Sequence, residues 1–547
     1  MTRHTSAVRL LAAVAALGLI AGACGDDDDA SIDSPEATTG ATGTEAPSDA
    51  TGDTTAPADT DATESTTAPE ETDAPADDAA PLVIAVTTEP STLDAQLVND
   101  RNSRVFTANI YEALLGRNEN VEVVPLLAES YENTSDTTWT FTLREGVTFH
   151  NGEPFNAESA AFSIQRMISE DFDTQRTSYI DSIVGATAVD EYTLEIETDG
   201  VLATLPAQVT QIPMVPVEGA ETLDTEPVGT GPYKFVEWNT GVDVVATRND
   251  DYWGDPPAIK DFSIRFISDN QTALSALQAG EVDLVVDILP EQKDLAPIVK
   301  SVPAAEFSYI AFNTYLPALS DPRVRVAFNM AIDKETLADV VYEGEARPND
   351  SQNLTDAMLG YNPDLGPIPY DPEGARALLE EAGYPFDEVI ELNVPIGRYL
   401  KGEESAEYVA EQLRAVGVNI EIIATEFNTY REDGRIPGTE EGAMDLKYGW
   451  NSNEFFDGGR ILSHVTCEGS SSKICIPEVD ELMELGATSL DQDVRDQAYQ
   501  DAWALLHDDP YAIYLLQQNL LYGVSERLQW EPRQDDEYYV STMALTA

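Results

Sequence analysis

The chain has 547 residues, 42% of them hydrophobic, with 100 Asp and Glu against 30 Lys and Arg and a formal net charge of −70. Its length and apolar share suffice for two or three domains with cores of their own. The charge excludes binding to nucleic acid or to an anionic membrane surface by bulk electrostatics, because both need a basic field; the acidic exterior reads as a solubilising one.

Residues 1–23 read as an export signal: Arg3 and Arg9 give a basic start, and the apolar run 10–20 is too short to span a bilayer. Ala21-Gly-Ala-Cys24 resembles a bacterial lipobox, although leucine is more usual at the place of Ala21. The resemblance implies that Cys24 is lipidated and becomes the new N-terminus; an ordinary Ala-x-Ala signal-peptidase site is the other reading. Residues 24–80 contain no Lys, Arg or aromatic residue and are rich in Asp, Thr, Ala and Pro. Such a segment cannot bury enough apolar surface to offset its ordering entropy, so a disordered acidic tether is expected. Its run Asp26–Asp29 reads as solvated charge rather than as a calcium site.

The folded part begins with a buried strand at 82–86. A polar loop at 98–103 follows, and then helical spacing over 105–115. Thr138–Leu143 alternates as a strand, Asn151-Gly152 signals a turn, and Asn156 caps a helix reaching Arg166. His150 has no serine, cysteine or metal cluster beside it, and reads as a structural turn residue. An alternating strand at 191–197 closes a subdomain over 116–210. In GTGPY, at 229–233, the glycines suit a turn with φ > 0, and a half-buried strand runs to Trp238. A helix stopped by Gly280 leads into a strand at Leu284. Residues 321–333 form a helix with Pro322 in its first turn, and 370–384 form another, ended by Gly383. Strands near 391 and 418–423, with a helix at 405–417 between them, indicate an α/β lobe.

Cys467 and Cys475 flank a short polar loop that suits a disulfide in an exported protein; free thiols or a metal pair are the alternatives, with His464 the one histidine nearby. No phosphate loop, metal cluster or nucleophile motif points to an enzyme.

Several segments together carry a family resemblance: GTGPY with its strand, LREGVTFHNGEPF at 143–155, NDDYWGD at 249–255, ALQAGEVDL at 276–284 and DPRVRVAFNMAID at 321–333. From about Leu82 to the C-terminus the chain resembles the family 5 extracellular solute-binding proteins, the peptide, nickel and oligosaccharide receptors of ABC importers. The resemblance implies an α/β, two-lobed fold like the type II periplasmic binding proteins, with an extra subdomain in the first lobe and a ligand cleft between the lobes. On this plan 81–115 and 211–313 belong to lobe I, with the subdomain at 116–210 inserted between them. Lobe II covers 314–515, and 516–547 returns to lobe I. The crossings fall near 310–315 and 512–518.

The implied function is capture of an extracellular solute, oligopeptides first, for delivery to an ABC permease complex. The protein would be a monomer outside the cytoplasm, held to the membrane through Cys24, with no enzymatic activity, cofactor, metal or nucleic-acid partner. A neutral solute such as an oligosaccharide, or a surface sensor or adhesin reusing the fold, is the alternative. In KYGWNSNEFFD at 447–457, Trp450 matches the tryptophan that packs against the ligand. Asn453 stands where the peptide receptors bind the ligand ammonium with an aspartate, and Glu454 or Asp457 could replace that charge. Asn451 flanks the tryptophan, and Lys447 matches a basic position used for the ligand carboxylate. Asn99 and Arg101 lie in the loop implied to touch the ligand backbone, and Arg398 follows a lobe II strand.

Overall fold

The structure, a computed structural model, describes residues 80–467 and 473–546. The export signal, Cys24 and the tether as far as residue 79 lie outside the described residues.

Two long strands, Ile298–Phe312 and Ala512–Val524, pair antiparallel from Ile298↔Val524 to Ala311↔Ala512. Beside the first lie Leu446–Ser452, Val389–Pro395 and Asn419–Thr425; beside the second lie Leu284–Val285, Leu82–Val86, Asp261–Phe266, Asp243–Arg248 and Tyr233–Asn239. One sheet therefore runs through both lobes. Ala512–Val524 is buried at every position but Asn519, as a central strand covered on both faces must be. The register breaks between Pro303 and Phe307 and again before Tyr309. Ala304 packs into one core and Ile310 into the next. The passage on this strand thus precedes the expected 310–315, because the bulged segment turns the strand's faces from one core to the other.

The second lobe packs Phe328, Leu379 and Leu413 from three helices against Ile310, Leu392, Leu446 and Leu515 from the sheet. Helix Gly402–Ala415 is the crossover that lets Val389–Pro395 and Asn419–Thr425 pair in parallel. The first lobe packs Ile84, Phe106, Tyr233, Phe262 and Tyr522. An inserted layer has a four-stranded sheet covered by helix Ala157–Ile168, with a core running from Leu114 to Met214. Helices Pro477–Thr488 and Gln492–Asp508 build a further cluster around Trp503 and Tyr514. Cys467 and Cys475 form a disulfide at the edge of that cluster.

Two local readings change. The helix expected at 105–115 spans Arg101–Thr107 instead. Asp100 caps it, accepting from Ser103 N at 2.9 Å and Ser103 Oγ at 2.7 Å, and Asn109 draws the chain away by donating to Tyr538 O at 2.8 Å. The glycines of the 229–233 turn are not at positive φ. They are required by close approach: a Cβ on Gly229 would lie 2.0 Å from Ile110 O, and one on Gly231 at 2.7 Å. Gly231 N donates to that same carbonyl at 2.9 Å.

His150 clamps the turn, with Nε2 bonded to Gly231 O at 2.9 Å and Nδ1 accepting from Gly229 N at 3.4 Å. Burial pushes its pKa down to about 4, so the ring is neutral and Nε2–H donates. Glu112 ties the turn to the NDDYWGD segment by accepting from Thr230 Oγ1, Tyr252 OH and Trp253 Nε1 at 2.8, 2.7 and 3.0 Å.

Candidate functional site

A cavity of about 280 Å³ opens where the end of helix Arg101–Thr107, the inserted layer, the C-terminal segment and the loop after Leu446–Ser452 meet. Its charged wall holds Arg104, Arg117 and Arg176 against Glu112, Glu454, Asp535 and Glu537. A smaller cavity of about 50 Å³ is lined by Arg101, Glu306, Asn453, Glu454 and Asp536 among others. Glu454 borders both.

The charges are unevenly matched. Arg104 pairs with Glu537 at 3.1 Å. Burial pushes the Glu537 carboxyl up to about 7, with Arg104 opposing the shift. Arg101 faces three carboxylates: Asp287 at 2.7 Å, Glu306 at 3.7 Å, and Asp536. Burial raises the pKa values of Asp287 and Glu306, with Arg101 again opposing. Glu454 accepts from Ser452 Oγ at 2.7 Å through Oε1, whereas its Oε2 is buried without a partner. Asp287, Asp536 and Phe456 around this centre hold φ of 60°, 56° and 53°, backbone strain of the kind that accumulates at functional sites.

The cleft is shut. Arg117 Nη2 donates to Phe455 O at 2.9 Å and Glu454 O at 3.3 Å, and Arg460 Nη2 reaches Ser178 Oγ at 3.3 Å. The Phe455 ring meets Tyr179 edge-on at 5.4 Å.

The model of the bacterial extracellular solute-binding proteins, family 5 (middle), matches residues 122–469. The chain belongs to that family. The glutathione-binding protein GsiB of Pectobacterium atrosepticum is 28% identical over 472 residues, 82% of this chain and 91% of that protein. Among solved structures, HbpA2 from Haemophilus parasuis superposes with a TM-score of 0.77 at 25% identity, covering 85% of this chain and all of the other. DppA from Helicobacter pylori, in complex with the peptide STSA, gives 0.67 at 23%, covering 85% of this chain and 98% of that one. The architecture is that of the two-lobed family 5 binding proteins.

Within this solute-binding protein the expected site residues separate. Arg101, Asn453 and Glu454 line the cavities. Asn99 donates to Tyr179 OH at 2.6 Å, and its Oδ1 is buried without a partner. Trp450 stacks on Tyr399 at 5.3 Å and 22°, making an aromatic shelf on the second lobe. The exposed Arg398 lies over Phe427 at 5.1 Å and Tyr399 at 5.7 Å, beside that shelf. Asn451 pairs with Phe307 within the sheet. Lys447 sits near the far end of its strand, opposite Ala311, and lines neither cavity. Burial lowers its pKa, and Arg435 lowers it further.

Asn453 lines the smaller cavity, with its amide turned into the loop. It is 1% exposed, and its amide serves its own loop: Nδ2 donates to Asp457 O at 2.9 Å and Oδ1 accepts from Asp457 N at 3.4 Å. Asp457 is no substitute for a ligand-binding aspartate either. It pairs with Arg495 and caps helix Gly458–Leu462 through Gly459 N at 3.0 Å.

Sequence reasoning missed Arg104, Arg117, Arg176, Glu306 and Glu537. Glu306 carried a signal, a carboxylate flanked by Ala304, Ala305 and Phe307 within a strand. The arginines carried none, since they meet only through the fold.

Proposed function

We propose that this solute-binding protein captures short peptides outside the cytoplasm and hands them to an ABC permease as a monomer held to the membrane through lipidated Cys24. The observation that carries the reading is Glu454: a carboxylate with one oxygen buried and unpartnered, bordering two cavities in a shut interlobe cleft. An unpaired buried carboxylate oxygen is costly, and a ligand ammonium is the group that compensates it with a charge-assisted hydrogen bond. Glu454 therefore takes the role that an aspartate at 453 would have had. Asn99, with an unpartnered Oδ1, and the Trp450–Tyr399 shelf line neither cavity and do not carry the reading. Names of relatives and neighbours point the same way, to glutathione for GsiB and to a bound tetrapeptide for DppA. A neutral solute such as an oligosaccharide is favoured by the asparagine at 453 alone, and that amide is turned into its loop.

The test is thermal stability of the purified protein, unfolded and refolded to strip carried-over ligand, against free peptides, N-acetylated peptides and oligosaccharides. A ligand at a hundredfold excess over its Kd stabilises by about 2.7 kcal/mol. Stabilisation by free but not acetylated peptides, lost in Glu454→Gln, is expected. Equal response to acetylated peptides removes Glu454 as the ammonium acceptor. Response to sugars alone removes the peptide reading, and no response to any solute favours a sensor or adhesin.

A further inference from the structure

One segment, residues 108–117, runs along the larger cavity and lines it with Ala108, Tyr111, Ala113, Leu115 and Gly116. Gly116 pairs with Val124 in a short antiparallel ribbon, and a Cβ on it would lie 3.4 Å from Leu126 Cδ2. Val124 and Leu126, which also line the cavity, therefore continue the same apolar surface. Backbone bonds bring two prolines of the lining to this segment. Met214 N, next to Pro213, donates to Glu112 O at 2.8 Å, and Gly231 N, next to Pro232, donates to Ile110 O at 2.9 Å.

Seven charged residues share the wall, and the protein itself engages six of them. Arg104 pairs with Glu537 at 3.1 Å, and Asp535 with Arg533 at 2.5 Å. Glu112 spends both oxygens, Oε2 on Thr230 and Trp253 and Oε1 on Tyr252. Arg117 donates to Val121 O at 2.6 Å and Phe455 O at 2.9 Å, and Arg176 to Val98 O at 2.9 Å and Gln211 O at 3.0 Å. Glu454 is the seventh, and its Oε2 is the one carboxylate oxygen of this wall that is buried without a partner among the described residues. The Nε atoms of Arg104 and Arg117 are buried donors without an acceptor, a need that a peptide carbonyl meets. Of the whole lining, Glu454 alone comes from the second lobe.

A volume of about 280 Å³ is at the lower edge of the range for small-molecule pockets. A solute anchored at Glu454 therefore fills this cavity with the groups nearest its ammonium, which in a peptide are the first side chain and the first carbonyl. We infer that the larger cavity is the pocket for the N-terminal side chain, and that the solute is a di- or tripeptide whose first residue is leucine, phenylalanine or another bulky apolar residue. The inference rests on the peptide reading, with the ammonium at Glu454. The side chain lies against Ala108, Leu115, Val124 and Leu126, where an apolar group gains by leaving water. A polar or charged one would give up its hydration and find the carboxylates other than Glu454 already bonded. Selection among side chains is then made by the first lobe and the inserted layer, whereas the second lobe supplies the partner of the ammonium.

The experiment is titration calorimetry on the ligand-stripped protein with tripeptides that differ only in their first residue: Leu-Gly-Gly, Phe-Gly-Gly, Gly-Gly-Gly, Lys-Gly-Gly and Glu-Gly-Gly. The leucine or the phenylalanine peptide is expected to bind at least about ten times more tightly than the other three. Ala108→Leu, which fills the cavity, should erase that preference while leaving Gly-Gly-Gly within about threefold. Val124→Ser should weaken the two apolar peptides and spare Gly-Gly-Gly in the same way. Equal affinity for all five in the unaltered protein, or a preference for lysine or glutamate, overturns the apolar pocket and leaves the peptide reading standing, whatever the folding of the variants. An apolar preference that survives both variants unchanged overturns it too. An apolar preference that N-acetylation leaves untouched upholds the pocket and removes Glu454 as the anchor. Silence from every tripeptide overturns both the pocket and the peptide reading.

Discussion

The turn at 229–233 and the loop at 450–457 look alike as sequences, each mixing glycine or asparagine with aromatic residues. They are held in opposite ways. The turn is fixed from outside: the Ile110 carbonyl presses on two glycines, and His150 and Glu112 clamp it. The loop is fixed largely from within, by Asn453 bonding Asp457 and by Asp457 pairing with Arg495. The first arrangement is steric, so one added carbon breaks it. The second is chemical, and its failure depends on which polar group loses its partner.

Gly229→Ala tests the steric side and should have the largest effect. The new Cβ would sit 2.0 Å from a carbonyl that is itself bonded to Gly231 N. A loss of about 4 kcal/mol or more is expected, read as failure to recover folded protein or as a collapsed urea midpoint; a midpoint within 1 M of the parent would show that the turn can relax. Asp457→Ala tests the chemical side by stranding Arg495. Breaking a buried pair from one end costs about 3–5 kcal/mol, and equilibrium denaturation gives the figure directly.

Glu537 tests the cavity wall facing the loop. Its folded pKa of about 7 lies above the ordinary carboxylate value, so the folded state holds a proton that the unfolded state has lost. The contribution is full below about pH 4.5 and fades as the pH rises through 7. Glu537→Gln should flatten the stability profile between pH 5 and 8 by about 1–3 kcal/mol relative to the parent; parallel profiles would remove this assignment. Glu112, pushed up to about 6 by burial, acts in the same direction and is the control. The smallest change is Asn453→Asp, which removes the Nδ2 donor to Asp457 O and costs about 1–2 kcal/mol. It should not strengthen binding of free peptides over acetylated ones. A tenfold gain for free peptides in calorimetry would return position 453 to the ligand.

Much of the fold was legible because local chemistry decided it. Asn156 caps its helix, Pro322 opens one, Gly383 closes another at φ 72°, and the alternating strands at 138–143 and 193–198 pair with each other. The site was less legible, for reasons the residues make plain. Glycine at 229 is written the same way whether a turn needs positive φ or a neighbour needs space. Asn453 and Glu454 are adjacent polar letters, and it is the bonds to Asp457 that turn the first of them inward. Arg104, Arg117 and Arg176 come from a helix, a short strand and the inserted layer, so no window of sequence holds them together.

Phe455 belongs to the second lobe by its place in the chain, yet its ring is buried in the core of the inserted layer against Tyr179. An opening that parted Phe455 from Tyr179 would lose apolar contact that no solute supplies, and that loss would be the same for every solute captured. Phe455→Ala should move the affinities of a whole panel by one common factor and leave their ranking intact. How tightly the receptor grips and what it prefers to grip are thereby set by different parts of the chain, and the two can drift apart in evolution without one undoing the other.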